Sequence, residues 1–237
     1  MDVFFAEMVG SMFLMTIGFS SHAADMLNKS WGKDGGWLMM CLSWGMGLAV
    51  GLLAAISLGS QGHVNPMITL AFVAAGIFPA ADAPLYITAQ VTGGVLSGIL
   101  IWLFYLPHWA ATEDKDVKLA CFSMLPAIDK PSQNFLSEVL SFFIFVVGIF
   151  VILKAVFPLG IAPGCLVTGI WLTAAIAATG GQTAAGYGID IGPRIAHQLL
   201  PIAGKRDSNW RYAWVPVLGP AVGGVAAALV SRTLGLI

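Results

Sequence analysis

The chain has 237 residues, of which 58% are hydrophobic and only 10% charged, with a formal net charge of −1. A mean hydropathy of +0.85 excludes an ordinary soluble domain, whose surface at this length needs far more charge. The near-neutral balance also excludes a basic field that would draw in nucleic acid.

A spanning helix takes about 20 mostly apolar residues, and six segments of the chain meet that test. The first runs over 3–21. Met1–Phe19 has no basic leader, carries Asp2 and Glu7 and is followed by no small-residue cleavage site, so it reads as a retained span rather than a signal peptide. The second covers 37–58. A short apolar stretch at 65–76 follows, and then the third span at 84–106. After a polar connection at 107–133 come spans at 134–156 and 161–179, a second short stretch at 190–200 and a last span at 212–234. Short apolar stretches beside Gly and Asn-Pro signals predict half-helices that enter the membrane and leave by the same face. The fold class expected is therefore an all-α membrane protein of six spans and two re-entrant half-helices, with the bilayer as its principal partner. Charges gather in 25–34, 113–130 and 205–211, the expected water-exposed loops.

The order span, span, half-helix, span occurs twice, over 1–115 and again over 130–237. Each half opens on a lone Glu near the start of an apolar helix, Glu7 and Glu138. Each also has a Gly-rich stretch before its short segment, at Gly59–Gly62 and Gly180–Thr183. Three spans per half is odd, so the second half must be inserted upside down relative to the first.

The sharpest motif is Gly62-His63-Val64-Asn65-Pro66-Met67. Pro suits the first helical turn, where its missing N–H would be unpaired anyway, and Asn is a good N-cap. A half-helix starting here in mid-membrane presents a partial positive charge and free N–H donors to whatever fills the space beyond it. Glu7 and Glu138 are costly in lipid and need internal partners; their symmetric placement points to bracing the re-entrant backbone. Cys41, Cys121 and Cys165 show no metal or disulfide spacing and read as small apolar fillers. No nucleophile–base pair, phosphate loop or metal cluster stands out, so neither an enzyme nor a cofactor or metal is expected.

Taken together these residues resemble the major intrinsic proteins, the aquaporins and glycerol facilitators. The matching pieces are Ala6-Glu7, the Gly62–Pro66 motif, Gln90 with Gly93-Gly94, Ser137-Glu138, Asp190-Ile191-Gly192-Pro193-Arg194 and Pro216-Val217-Leu218-Gly219-Pro220. The resemblance covers nearly the whole chain. It implies a passive channel for water and small neutral polyols such as glycerol, in a homotetramer with one pore per protomer. It also implies a cell membrane, the bacterial inner membrane by expectation. All Lys and Arg except Lys154 and Arg232 fall on one side. The positive-inside rule would place that side in the cytoplasm, whereas the family places it outside; the family's orientation is the one expected.

By the resemblance the pore residues are Trp44, His63, Asn65, Pro66, Met67, Tyr187, Gly188, Asp190 and Arg194, with Glu7, Gln90 and Glu138 as braces. Trp44 and Asp190 point to the glycerol-conducting branch. There is one large departure. The family's second Asn-Pro-Ala-Arg is absent between Ile189 and Asp190, a loss of four residues, about one helical turn. Met67 also stands where Ala is usual. The lost turn removes one of two central amide donors and the Arg of the narrowest ring, and it predicts a shift of the second half-helix by roughly 6 Å. Arg194 is a candidate to replace that Arg; the alternative is that it caps the half-helix or meets a loop. Two further readings stay open: a non-conducting relative whose pore the missing turn disrupts, and an inverted-repeat secondary transporter that uses Glu7 and Glu138 as relay acids.

Overall fold

The computed structural model describes residues 2–237. In lipid every backbone N–H and C=O must be satisfied within the protein, and long apolar runs accordingly become helices. The first repeat comprises α1 (Val3–Met26), α2 (Trp37–Ser57), the short α3 (Pro66–Ala75) and α4 (Ala83–Phe104). The connection beyond it carries two small helices, α5 (Leu106–Ala111) and α6 (Lys115–Ala120). The second repeat comprises α7 (Pro131–Ala155), α8 (Ile161–Thr179), the short α9 (Ile191–Leu199) and α10 (Trp214–Thr233). Six of these helices are long and apolar enough to cross a membrane, as expected from the sequence.

Local chemistry explains where the helices begin and end. Asp2 caps α1 by accepting from the Phe4 N–H at 3.2 Å. Pro131 occupies the first turn of α7 and sets its start three residues earlier than the apolar run alone indicates. α1 runs five residues past its expected end because its polar tail stays inside the bundle. The Ser21 hydroxyl donates to the Gly18 carbonyl at 2.6 Å, and His22 takes the Trp44 indole N–H at 3.0 Å. The sequence reading missed α6, although Asp114 caps it by accepting from Asp116 and Val117 N–H groups at 2.8 and 3.2 Å.

The helices approach closely through small residues. A Cβ on Gly45 of α2 would lie 2.4 Å from the Gly169 carbonyl of α8, and one on Gly169 would lie as close to the Gly45 carbonyl. This is the seam between repeats. Within repeats, Gly93 of α4 packs on α1 and Gly223 of α10 packs on α7, each against a backbone carbonyl. The short helices exchange partners: α3 packs on α10, and α9 packs on α4. Each repeat therefore lays its half-helix against the last span of the other.

Candidate functional site

The first re-entrant segment is held by one carboxylate. Glu7 is fully buried and accepts the His63 N–H at 3.0 Å, the Val64 N–H at 2.8 Å, the Gln90 side-chain amide at 2.8 Å and the Ser60 hydroxyl. The four donors leave it no unmet acceptor and fix the chain just before α3. Gln90 also donates to the Thr69 hydroxyl at 3.1 Å, which ties α4 to α3. Asn65 then starts the half-helix. Its side-chain oxygen accepts from Met67 and Ile68 N–H groups at 2.6 and 3.3 Å, and Gly76 closes the helix in the left-handed region at φ 74°.

Glu138 does the same in the second repeat, accepting from the Gly186 and Tyr187 N–H groups at 2.8 and 3.2 Å. Here the symmetry ends. The loop carries Ala184, Ala185 and Tyr187 at φ 58°, 52° and 50°, a left-handed conformation unusual for residues with side chains. Asn65 donates its amide to the Tyr187 carbonyl at 3.1 Å, and Gly188, at φ 74°, packs directly against Met67. The tip of α3 therefore meets a loop carbonyl. The start of α9 lies instead along α4, with Gly192 against Gly94 and Ala196 against Gly98. Without the extra turn, it is this loop, and not the start of α9, that meets the tip of α3.

Between α1, α2, α7, α8 and the two re-entrant segments lies a cavity of about 330 Å³. Its wall is mostly apolar, with Asn65, Thr168 and Tyr187 among its polar members, and no Asp, Glu, Lys or Arg lines it. Toward the face that carries the termini the wall includes Gln61 and Ile161, both exposed. At the opposite end it is built from Trp44, Met124, Ala185 and Ile189, all buried.

Four of the residues expected at the pore lie in this wall: Trp44, His63, Asn65 and Tyr187. The Trp44 indole N–H is taken by His22, so Trp44 brings only ring carbon to the wall. The His63 ring sits among Phe72, Phe78 and Tyr86 at centroid distances of 4.9, 4.5 and 4.6 Å, and its Nδ1 is 3.1 Å from the Thr69 hydroxyl. Tyr187 lies flat against Phe145 at 5.1 Å, and its hydroxyl pairs with Ser141 at 2.9 Å.

The other five stand outside the wall. Pro66 and Met67 belong to the first turn of α3, and Gly188 is packed on Met67. Asp190 and Arg194 form a fully buried ion pair at 2.5 Å, and neither belongs to the cavity wall. Asp190 also accepts the Met124 N–H at 3.2 Å, and Arg194 donates to the Ser208 and Asn209 carbonyls at 2.7 and 3.0 Å. Arg194 is thus a loop clamp and not a replacement pore Arg, because the buried face of α9 that carries it turns to the 200–213 connection. That connection is pinned further by Lys205, which donates to the His197, Gln198 and Leu200 carbonyls at the end of α9. Burial pushes the Lys205 ammonium below its ordinary pKa. The sequence reading missed His22, Met124 and Ile189. The polar run Ser20-Ser21-His22 inside an apolar helix was the signal for His22; nothing in the local sequence marks Met124.

The family model described as major intrinsic protein matches residues 1–231. The chain is 42% identical to the glycerol uptake facilitator protein of Bacillus subtilis, over 94% of this chain and 81% of that protein. It is 41% identical to glycerol uptake facilitator protein 3 of Lactiplantibacillus plantarum, over 96% and 95% of the two chains. It is 39% identical to the probable glycerol uptake facilitator protein of Thermotoga maritima, over 96% and 97%. Among solved structures, the aquaglyceroporin from Plasmodium falciparum shares the fold with a TM-score of 0.83 at 21% identity, covering 98% of this chain and 95% of that one.

Proposed function

The chain belongs to the major intrinsic protein family, and from that premise we propose that its central cavity is the solute path of a passive channel for water and small neutral polyols such as glycerol. It is a multi-pass membrane protein and a channel, not an enzyme. The observation that carries the reading is a cavity lined entirely by uncharged side chains, among them residues of both short segments. Such a wall suits a solute with a carbon face and a hydroxyl face. The Trp44 ring and the Leu and Ile side chains take the carbons. The second amide N–H of Asn65 and the Thr168 hydroxyl oxygen, as an acceptor, offer hydrogen bonds.

Glu7 and Glu138 have no free role as proton relays in this reading, because each carboxylate is occupied by backbone N–H groups. Family membership also supports a homotetramer with one cavity per protomer, and an orientation with both termini in the cytoplasm. Glycerol uptake into proteoliposomes tests the channel reading. The rate is expected to exceed lipid leak, to rise linearly with the glycerol gradient and to ignore an imposed pH gradient. Saturable uptake driven by a pH gradient would establish a coupled transporter instead.

A further inference from the structure

At the end away from the termini the cavity wall is formed by Trp44, Met124, Ala185 and Ile189, with no exposed residue among them. Trp44 belongs to a spanning helix. The other three belong to two connecting segments that are bound to each other. The Met124 N–H donates to Asp190 at 3.2 Å, and the Ala127 N–H donates to the Gln182 carbonyl at 2.9 Å. A methyl group on Gly186 would meet the Met124 side chain at 3.3 Å. Asp190 is in turn locked by Arg194 to the carbonyls of residues 208 and 209. The backbone at this end is therefore fixed from three sides, and what remains adjustable is side chain.

We propose that Met124, together with Ile189, is the permeability-determining constriction of this channel, an apolar gate that sorts solutes by size and by ease of desolvation. The proposal rests on the channel reading above. An apolar ring gives a passing solute nothing in exchange for its water, so each hydroxyl crosses unpaired and at a cost. Passage should slow with every added hydroxyl, the reverse of a ring that selects through hydrogen bonds. Met124 suits a movable element, since its side chain is unbranched and turns about three bonds. Ile189, branched at Cβ, is the stiffer wall it moves against.

Stopped-flow permeabilities of proteoliposomes for 1,3-propanediol, glycerol and erythritol test this with three variants. Met124→Ala and Ile189→Ala each shorten one side of the constriction, and Met124→Leu keeps its volume. The wild type should pass the three solutes in falling order. Met124→Ala should raise glycerol permeability on the order of tenfold, the low end of what one apolar group contributes to discrimination in a pocket, and bring the three rates closer together. Ile189→Ala should act in the same direction and stands in if Met124→Ala does not fold. Met124→Leu should stay near the wild type. Unchanged rates and ratios in both Ala variants, with a wild type above lipid leak, overturn the constriction while leaving the channel intact. Wild type and variants all at lipid leak overturn the channel reading itself.

Discussion

At the scale of single residues, the two buried Glu side chains are the components most exposed to failure. Each neutralises orphan N–H donors that have no water to turn to. Glu7 serves four donors, two on each oxygen, and Glu138 serves two backbone donors, one on each. Replacement by Gln keeps the shape but turns one oxygen into a donor, and each buried donor left facing it costs about 1–3 kcal/mol. Glu7→Gln should therefore lower the thermal unfolding midpoint in detergent more than Glu138→Gln, and a reversed order would contradict the donor assignment. Arg194 makes a second residue-scale prediction. Arg194→Leu strands the fully buried Asp190 and should cost about 3–5 kcal/mol, recovered in part by adding Asp190→Asn. Arg194 lies off the cavity wall, so its loss should be read as a lower unfolding midpoint in detergent, and an unchanged midpoint in Arg194→Leu would contradict the clamp.

At the scale of elements, helix contact depends on the absence of side chains. A Cβ on Gly93 would lie 2.4 Å from the Met8 carbonyl and 3.0 Å from the Met12 nitrogen, backbone atoms that cannot swing away. Gly93→Ala should destabilise by about 1–3 kcal/mol or more, as overpacking does, read as a lower unfolding midpoint. Gly181→Ala, with open space around it, should not. Lys205 closes the exposed end of α9 through three carbonyls. Lys205→Met should raise amide exchange over 197–205 with little change elsewhere.

The six spans were legible in the sequence because length and hydropathy alone decide what can cross a bilayer, and observed ends fall within a few residues of the expected ones. The start of α3 was legible too, since Asn65-Pro66 is a cap written in adjacent residues. The course of 183–190 was not. Its shape comes from Glu138, Asn65, Met67 and Met124, residues distant in the chain that converge on it, and no local pattern encodes that convergence. The same reason hides Met124 and turns Arg194 from a pore candidate into a clamp.

At the scale of the whole molecule, the apolar residues that no partner covers lie around the outside. Phe13 and Ile17 on α1, Leu140 and Ile144 on α7 and Leu229 on α10 are 40–55% exposed. Patches on this scale suit lipid or neighbouring protomers and would be aggregation sites in water. Inside that belt the two repeats exchange half-helices, so neither repeat completes its share of the cavity alone. The channel architecture requires those short segments to enter from opposite faces. Single cysteines at Gln61, which is exposed, and at Gly181, which has open space around its Cα, test this in sealed vesicles with a membrane-impermeant maleimide. The native Cys41, Cys121 and Cys165 are buried and should give little background. The expected result is labelling of the two sites from opposite faces of the membrane; labelling of both from the same face would contradict the inverted re-entrant architecture.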